Sequence, residues 1–241
     1  MLLTVINPNT TASMTEKIGA AAGAAAAPGT IVVAINPAMG PVSIEGYYDE
    51  AFCVPGMLER IREARDSDAF VIACFDDTGL DAARSIAAVP VIGICEAAMH
   101  VTTLIAGSFS VVTTLGRSIP VIEHLARKYG FAHHCRKVRA AEVPVLDLED
   151  PGSGARGKLE AEIARAVAED RPEAIILGCA GMADLARDLS RQFGLPVVDG
   201  VAAAVKLAEG LVGLGLRTSK SGGYAAPRPK PYTGSFAGFA P

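Results

Sequence analysis

Two cysteines stand at matching places in the sequence, and their side chains can exchange a proton with a substrate. Cys74 ends the apolar run AFVIAC, and Cys179 ends the apolar run AIILGC. The ordinary pKa of cysteine, about 8.5, is close enough to neutrality for a thiol and a thiolate to serve as acid and base. Two such groups on opposite sides of one carbon would remove a proton from one face and return a proton to the other.

The two cysteines belong to an internal repeat. ACFDDTGLDAAR, around Cys74, corresponds to GCAGMADLARD, around Cys179, and the segments PVIGICEAA and PVVDGVAAA follow at nearly the same distance. A single buried cysteine is most often a small core hydrophobe, but a matched pair in a repeat favours a shared chemical role. Cys53, Cys95 and Cys135 have no such match, and we expect them to be core residues.

Short apolar runs alternate with alanine-rich segments of helical spacing. The predicted strands are LLTVI (2–6), TIVVAI (30–35), AFVIAC (69–74), VPVIGI (89–94), FSVVTT (109–114), AIILGC (174–179) and LPVVDG (195–200). The predicted helices lie at about 11–25, 49–66, 78–87, 96–106, 118–129, 155–169, 182–193 and 200–213. This alternation predicts a doubly wound α/β fold with two pseudo-symmetric lobes, each a mainly parallel sheet flanked by helices.

The repeat also predicts how the chain divides. We expect a first lobe at 1–95 plus about 200–216, a second lobe at 96–199, and a Gly/Pro-rich tail at 217–241. Ligands of parallel sheets bind at the carboxyl ends of the strands, so the active site should lie in a cleft between the lobes, with one thiol on each wall. The tail is either a disordered end or an arm that wraps a neighbouring subunit. The aromatic residues available to such an arm are Tyr224, Tyr232, Phe236 and Phe239.

Candidate substrate contacts come from the turns that follow the strands. The asparagines of the NPNTT turn and the threonines of the VVTT segment offer donors and acceptors for a polar substrate. The backbone amides after each cysteine favour a thiolate and would stabilise negative charge on a substrate carbonyl. The substrate-binding candidates are Asn7, Asn9, Phe75, Asp76, Thr113, Thr114, Ala180 and Gly181. We expect Asp76 and Asp77 to cap the helix that follows them, and Glu96 to complement the dipole of its own helix.

Composition and charge exclude several function classes. The net charge is −4 and no basic stripe with interleaved aromatic residues occurs, which argues against nucleic acid as a partner. The start, MLLTVINPNTT, lacks the basic segment of a signal peptide, and no apolar stretch is long enough to span a bilayer. Five widely spaced cysteines without a CxxC pair are typical of free thiols in the cytoplasm. A small-molecule substrate, with no metal or cofactor, fits best.

The segments that carry these motifs resemble the aspartate/glutamate/hydantoin racemase superfamily over most of residues 1–215. They are INPNT, GPVSIEG (40–46), ACFDDTGLDAAR, VVTTLGRSIP (111–120) and LGCAGM. Within the superfamily the chain is most similar to the hydantoin and allantoin racemases. The resemblance implies inversion at C5 of a 5-monosubstituted hydantoin, with Cys74 and Cys179 as the catalytic cysteines of a homo-oligomer. Relatives often carry Gly where Asp76 stands, which puts the contacts of that turn in doubt.

Other functions remain open on the sequence. An allantoin racemase is the runner-up, followed by an amino-acid racemase and by a decarboxylase that keeps one cysteine. Amino-acid racemases of the superfamily follow the first cysteine with Asn-Thr, whereas Phe75-Asp76 and Ala180-Gly181 suit an uncharged ring. A cysteine hydrolase would need a nearby base, and none of the four histidines is at a strand end facing a cysteine. A two-lobed binding protein is the remaining alternative.

Overall fold

The structure is a computed structural model that describes residues 1–150 and 152–241. Its strands are β1 (Leu2–Ile6), β2 (Ile31–Ile35), β3 (Ala69–Ile72), β4 (Val91–Gly93), β5 (Phe109–Thr113), β6 (Cys135–Ala140), β7 (Ala174–Gly178) and β8 (Val197–Asp199). They form two parallel four-stranded sheets, with the orders β2-β1-β3-β4 and β6-β5-β7-β8. The sheets have the same topology, and each is the centre of one lobe.

In residues 1–150 and 152–241, eight α-helices flank the sheets. They are α1 (Ala12–Ala25), α2 (Tyr47–Glu63), α3 (Leu80–Ile86), α4 (Ile94–Thr103), α5 (Ile119–Lys128), α6 (Ala155–Glu169), α7 (Ala186–Phe193) and α8 (Gly200–Gly213). Short 3₁₀ segments lie at Gly116–Ser118, Val145–Glu149, Ala180–Leu185, Gly222–Tyr224 and Gly234–Phe239. The predicted two-lobed α/β fold is confirmed. In the part of the chain that the structure describes, no helix is both long and apolar enough to cross a membrane.

Three local predictions were wrong. The strand β6, of sequence CRKVRA, was missed because its charged residues hide the apolar alternation of a strand at the edge of a sheet. The helix predicted from residue 182 begins only at Ala186, because the chain after Cys179 first forms the 3₁₀ segment. Cys74 also lies two residues beyond the end of β3 rather than within the strand.

The inner faces of the two sheets share one hydrophobic core. It joins residues of β1 and β3, such as Val5 and Val71, to residues of β5 and β7, such as Val111 and Ile176. Helices α4 and α8 lie side by side within this core, and α1 packs against α8. The outer faces are covered separately, by α2 and α3 on the first sheet and by α6 and α7 on the second. Both lobes therefore contribute to one hydrophobic core. The division of the chain into a first lobe at 1–95 plus about 200–216 and a second at 96–199 stays a prediction.

The tail at 217–241 packs on its own lobe. The Thr218 hydroxyl donates to the carbonyl oxygen of Val89 at 2.6 Å, and the Arg62 guanidinium donates to that of Phe239 at 3.0 Å. A cavity of about 290 Å³ lies between this tail and the helices α2 and α3. Tyr232 and Phe236 remain substantially exposed.

Candidate active site

The carboxyl ends of the two central strand pairs meet at a small cleft of about 40 Å³. Parallel pairing brings the ends of β1 and β3 to one edge of the first sheet, and the ends of β5 and β7 to one edge of the second. The cleft is lined by Asn7, Asn9, Met14, Ile44, Ala73, Cys74, Phe75, Asp76, Thr113, Thr114, Ser118, Val145, Gly178, Cys179 and Ala180. Of the ten residues predicted from the sequence, Gly181 alone is outside this lining.

Cys74 lies in a tight turn that leaves β3. The backbone N–H of Asp77 donates to the carbonyl oxygen of Cys74 at 3.0 Å and closes the turn. The Thr78 hydroxyl lies 3.7 Å from the Cys74 sulfur, and the backbone N–H of Asp76 also points at it. The half-buried thiol thus has polar hydrogen atoms on its protein side and the cleft on the other.

Cys179 lies in a turn of the same kind after β7. The backbone N–H of Met182 donates to the carbonyl oxygen of Cys179 at 3.1 Å, and the N–H of Gly181 donates to the thiol. Gly178 precedes it without a side chain, because a Cβ there would lie 2.7 Å from the Cβ of Thr113. This close approach of β5 and β7 sets Thr113 beside Cys179, and the Thr113 hydroxyl donates to the Gly178 carbonyl oxygen at 2.9 Å.

The surroundings of both thiols disfavour the thiolate. Burial raises the pKa of Cys74 well above its usual range, and it raises the pKa of Cys179 to about 11. The backbone N–H groups of Asp76 and Gly181 lower these pKa values, but burial outweighs them. The turn amides thus favour the thiolate, as expected, but the net effect of the surroundings favours the protonated thiol. A thiolate formed here is a strong base, since proton affinity follows the pKa.

Asp76 brings a carboxyl group to the cleft wall. It is 8% exposed, and burial together with the nearby Glu50 and Asp77 raises its pKa to about 7. Within the described residues, no hydrogen bond contributes to this pKa. The Asp76 carboxylate in turn raises the pKa of Cys74 and of Cys179, so its charge acts on both thiols.

The amide of Asn7 is engaged within the protein. Its nitrogen donates to the side-chain oxygens of Asn9 and Thr15 at 2.9 and 3.0 Å, and more weakly to the Thr11 carbonyl oxygen. The Asn9 oxygen also accepts the N–H of Thr11 at 2.9 Å. These bonds fix the turn between β1 and α1 at the cleft wall. Asn7 therefore shapes the wall, and its amide nitrogen has little capacity left for a ligand.

The acidic pair after Cys74 does not cap the following helix. The cap residue of α3 is Gly79, which has φ +70° and no side chain that could accept a hydrogen bond. The Asp77 carboxylate caps α4 instead, accepting the backbone N–H groups of Cys95 at 3.0 Å and Glu96 at 2.9 Å. The side chain of Glu96 pairs with Arg84 at 2.5 Å, away from the cleft lining.

Other reactive side chains lie outside the cleft. Among the described lining residues there is no histidine, lysine or arginine. His100 packs edge-on against Phe131, and His134 bonds to the carbonyl oxygen of Gly107. Cys53 and Cys95 are fully buried, as expected of core residues, whereas Cys135, on the edge strand β6, is only half-buried. Among its described lining residues, the cleft therefore does not combine a cysteine nucleophile with a histidine base, as a cysteine hydrolase would require.

Two loops that the sequence did not assign close the cleft. Ile44, from the GPVSIEG segment, and Val145, after β6, both line it. The Glu45 carboxylate accepts the backbone N–H of Val145 at 3.1 Å and so ties one loop to the other. GPVSIEG was recognised only as part of the family resemblance, and an apolar residue in an irregular loop carries no signal of its own.

The chain is similar over nearly its whole length to one family of known proteins. The family model described as Asp/Glu/Hydantoin racemase matches residues 3–208. A hydantoin racemase of Rhizobium meliloti is 54% identical over 236 residues, covering 97% of this chain and 98% of that protein. A hydantoin racemase of a Pseudomonas species (strain NS671) is 47% identical over 242 residues, covering 99% and 97%. The solved allantoin racemase from Klebsiella pneumoniae superposes with a TM-score of 0.97 at 51% identity, covering 100% of this chain and 99% of that chain.

Proposed function

This chain belongs to the Asp/Glu/hydantoin racemase family, and on that premise we propose that it racemises 5-monosubstituted hydantoins, with Cys74 and Cys179 as opposed acid and base. The single observation that carries the mechanism is that both thiols line one cleft, each in a turn at the carboxyl end of a central strand. The hydantoin ring as substrate is supported by the names of the relatives that share about half of the sequence over nearly its whole length.

The proposed reaction has two proton transfers. The thiolate of one cysteine removes the proton from C5, and the electron pair of the C–H bond moves into the neighbouring carbonyl to give an enolate. The thiol of the other cysteine then donates its proton to the opposite face of C5. The first residue ends as a thiol and the second as a thiolate, so the enzyme is ready for the mirror-image substrate.

The cleft suits an uncharged ring. Its described lining has no cationic side chain to pair with the carboxylate of an amino acid, and it carries the Asp76 carboxyl, which would repel one. The apolar side chains of Ile44 and Val145 cover the site and exclude water from the enolate. These features favour a neutral hydantoin over a free amino acid.

The test uses one enantiomer of a 5-alkyl hydantoin in D₂O. We expect Cys74→Ser and Cys179→Ser each to lower the racemisation rate on the order of 10² to 10⁴-fold, measured by optical rotation. Each variant should still exchange the C5 proton of one enantiomer for deuterium, and the two variants should prefer opposite enantiomers. Cys135→Ser, which changes a half-buried thiol outside the cleft, is the matched control and should keep the full rate. Racemisation at nearly the full rate in either cleft variant would refute the two-base mechanism.

Allantoin is a second candidate substrate. It is a hydantoin with a ureido group at C5, and the Asp76 carboxyl at the cleft wall can accept hydrogen bonds from ureido N–H groups. If this contact forms, Asp76→Asn will lower kcat/KM for allantoin more than for a 5-alkyl hydantoin. An equal effect on both substrates would leave the alkyl hydantoin as the better assignment.

The proposed setting is the cytoplasm, with the protein as a homo-oligomer. All five cysteines are free thiols, which suits a reducing compartment. Tyr47, Tyr48 and Phe52 expose more than half of their surface at the start of α2, and apolar exposure of this kind is typical of subunit contacts. Light scattering of the purified protein measures the assembly directly.

A further inference from the structure

The two cysteine turns are built alike but are anchored differently. In each turn, the backbone N–H three residues after the cysteine closes a hydrogen bond to the cysteine carbonyl, from Asp77 in one and from Met182 in the other. The side chain of Met182 is fully buried in the outer apolar core of the second lobe. The side chain of Asp77 is buried too, but its contacts are polar. The anchor of the Cys74 turn is therefore a set of hydrogen bonds, and that of the Cys179 turn is apolar packing.

Asp77 ties the Cys74 turn to both lobes. One carboxylate oxygen accepts the N–H of Cys95 at 3.0 Å. The other accepts the N–H of Glu96 at 2.9 Å and the hydroxyl of Tyr129 at 2.8 Å. Cys95 and Glu96 begin α4, and Tyr129 follows α5 in the second lobe. The turn that presents the first thiol is thus held against the helix between the sheets and against the opposite lobe.

The two halves of the repeat supply the carboxylate that caps the equivalent helices α4 and α8 from different places in the sequence. In the second lobe, Asp199 is the cap residue of α8, and it accepts the N–H groups of Val201 and Ala202, both at 2.8 Å. The same place before α4 is taken by Gly93. A Cβ at Gly93 would overlap the Asp77 carboxylate. The carboxylate that the helix α4 lacks at its own cap position therefore comes from the cysteine turn.

The backbone conformation of Asp77 also indicates that its carboxylate holds the Cys74 turn in place. Its φ is +46°, in the left-handed region, where residues with a Cβ are uncommon although Asp enters it more readily than most. Three hydrogen bonds to the carboxylate hold the residue in that region. Loss of the carboxylate would let the turn relax toward an ordinary conformation and move Cys74.

We propose that Asp77, held by Tyr129, is a positioning residue for Cys74 and acts on proton transfer at one face of the substrate only. The inference rests on the proposed two-cysteine racemisation. It assigns no contact between Asp77 and the substrate, because Asp77 is outside the cleft lining. One-sided action follows because the Cys179 turn is anchored by other residues.

The test separates the two thiols. In D₂O, a Cys179→Ser chain exchanges the C5 proton through Cys74, and a Cys74→Ser chain exchanges it through Cys179. Adding Asp77→Asn should slow exchange through Cys74 about ten- to a hundredfold, the usual effect of a misplaced catalytic group, and leave exchange through Cys179 within about twofold. Tyr129→Phe keeps the helix cap and removes one of three hydrogen bonds, so its effect should have the same bias and be smaller.

Asp199→Asn is the matched control, because it makes the same change in the cap of α8, and the Asp199 carboxylate accepts hydrogen bonds from Val201 and Ala202 but from neither cysteine turn. It should change the unfolding midpoint about as much as Asp77→Asn does and bias neither exchange reaction. Equal slowing of both reactions by Asp77→Asn, or the same bias from Asp199→Asn, would overturn the inference.

A second readout needs no turnover. The rates at which iodoacetamide alkylates Cys74 and Cys179, resolved by peptide mass mapping, report the setting of each thiol in the full chain. Asp77→Asn should raise the rate of Cys74 severalfold and leave that of Cys179 unchanged, and unchanged rates at both would count against the inference. If neither single-cysteine chain exchanges deuterium, the two-cysteine function has failed, and the alkylation rates alone decide the role of Asp77.

Discussion

At the scale of single residues, burial raises the pKa of both thiols, and one carboxyl group adds to the effect on each. The Asp76 carboxylate raises the pKa of Cys74 on its own turn and of Cys179 on the opposite wall. The Lys17 ammonium acts in the opposite sense and lowers the pKa of Cys179. The fraction of thiolate in the site therefore depends on charges that need not touch the substrate.

This dependence predicts the pH profile of the enzyme. Below the thiol pKa, kcat/KM should rise about tenfold per pH unit, because the reactive thiolate fraction does. Asp76→Asn removes a negative charge, so both thiol pKa values fall and the rising limb moves to lower pH. Lys17→Met removes a positive charge that lowers the pKa of Cys179. The rising limb of the pH profile should therefore move to higher pH for the enantiomer that Cys179 deprotonates. A limb that stays in place in Asp76→Asn would mean that the carboxyl is protonated throughout the working range.

The sequence predicts the site residues unevenly for a physical reason. Cys74, Asn7 and Thr113 could be found because strand ends in parallel sheets converge, and a repeat identifies the strands. The hydrogen bonds between Asp77 and α4 could not be predicted. They form because Gly93 has no side chain to block the Asp77 carboxylate, and only folding brings these two residues together. Ile44 reaches the cleft through an irregular loop, for which no periodicity exists.

At the scale of elements, β6 shows why a charged segment can be a strand. Arg139 of β6 is 3% exposed, and its guanidinium bonds to the carboxylates of Asp170, Glu162 and Glu169. These carboxylates lie on α6 and at its end, so the ion pairs join the edge strand to the helix that covers the outer face of the second sheet. One of the charges that hid β6 in the sequence, that of Arg139, thus binds the strand to its helix.

Arg139→Met should therefore destabilise the protein on the order of 3 kcal/mol, since it leaves the buried carboxylate of Asp170 without its cation. Urea denaturation followed by circular dichroism measures the change in the free energy of unfolding. Arg191→Met breaks an exposed ion pair with Asp188 and is the matched control, for which we expect no measurable change. A similar small change in both variants would show that the Arg139 network is solvated in solution.

At the scale of the whole molecule, buried carboxyls make stability depend on pH. Burial raises the pKa of Asp76 and Asp77 to about 7 and that of Asp199 to about 6. Between the ordinary value of 3.8 and these values, the folded chain binds more protons than the unfolded chain. The free energy of unfolding should therefore rise as the pH falls from 7.5 to 5.

Carboxyls with lowered pKa values, such as Asp170, act in the opposite sense but only as the pH falls below their ordinary range. Urea titrations at pH 7.5, 6 and 5 test this, and Asp76→Asn should flatten the slope. A free energy of unfolding that falls over this interval would contradict the burial of these groups.

The sequence could predict two lobes but not the way they are joined. Apolar runs identify each sheet, and the repeat identifies the pseudo-symmetry. The shared core depends on which faces of α4 and α8 meet, and both helices are so rich in alanine and other small apolar residues that their pattern does not distinguish one partner from another.

The position of α8 has a consequence for how the chain is made. This helix is near the end of the sequence, yet it packs against α1, β3 and β4, which lie far earlier in the chain. A ribosome adds about 5 to 20 residues per second and releases the amino-terminal half first. The first sheet therefore leaves the exit tunnel with its inner face only partly covered, by α1, until α8 is made near the end of translation. During that interval the nascent first lobe is a natural client for a chaperone that shields apolar strands.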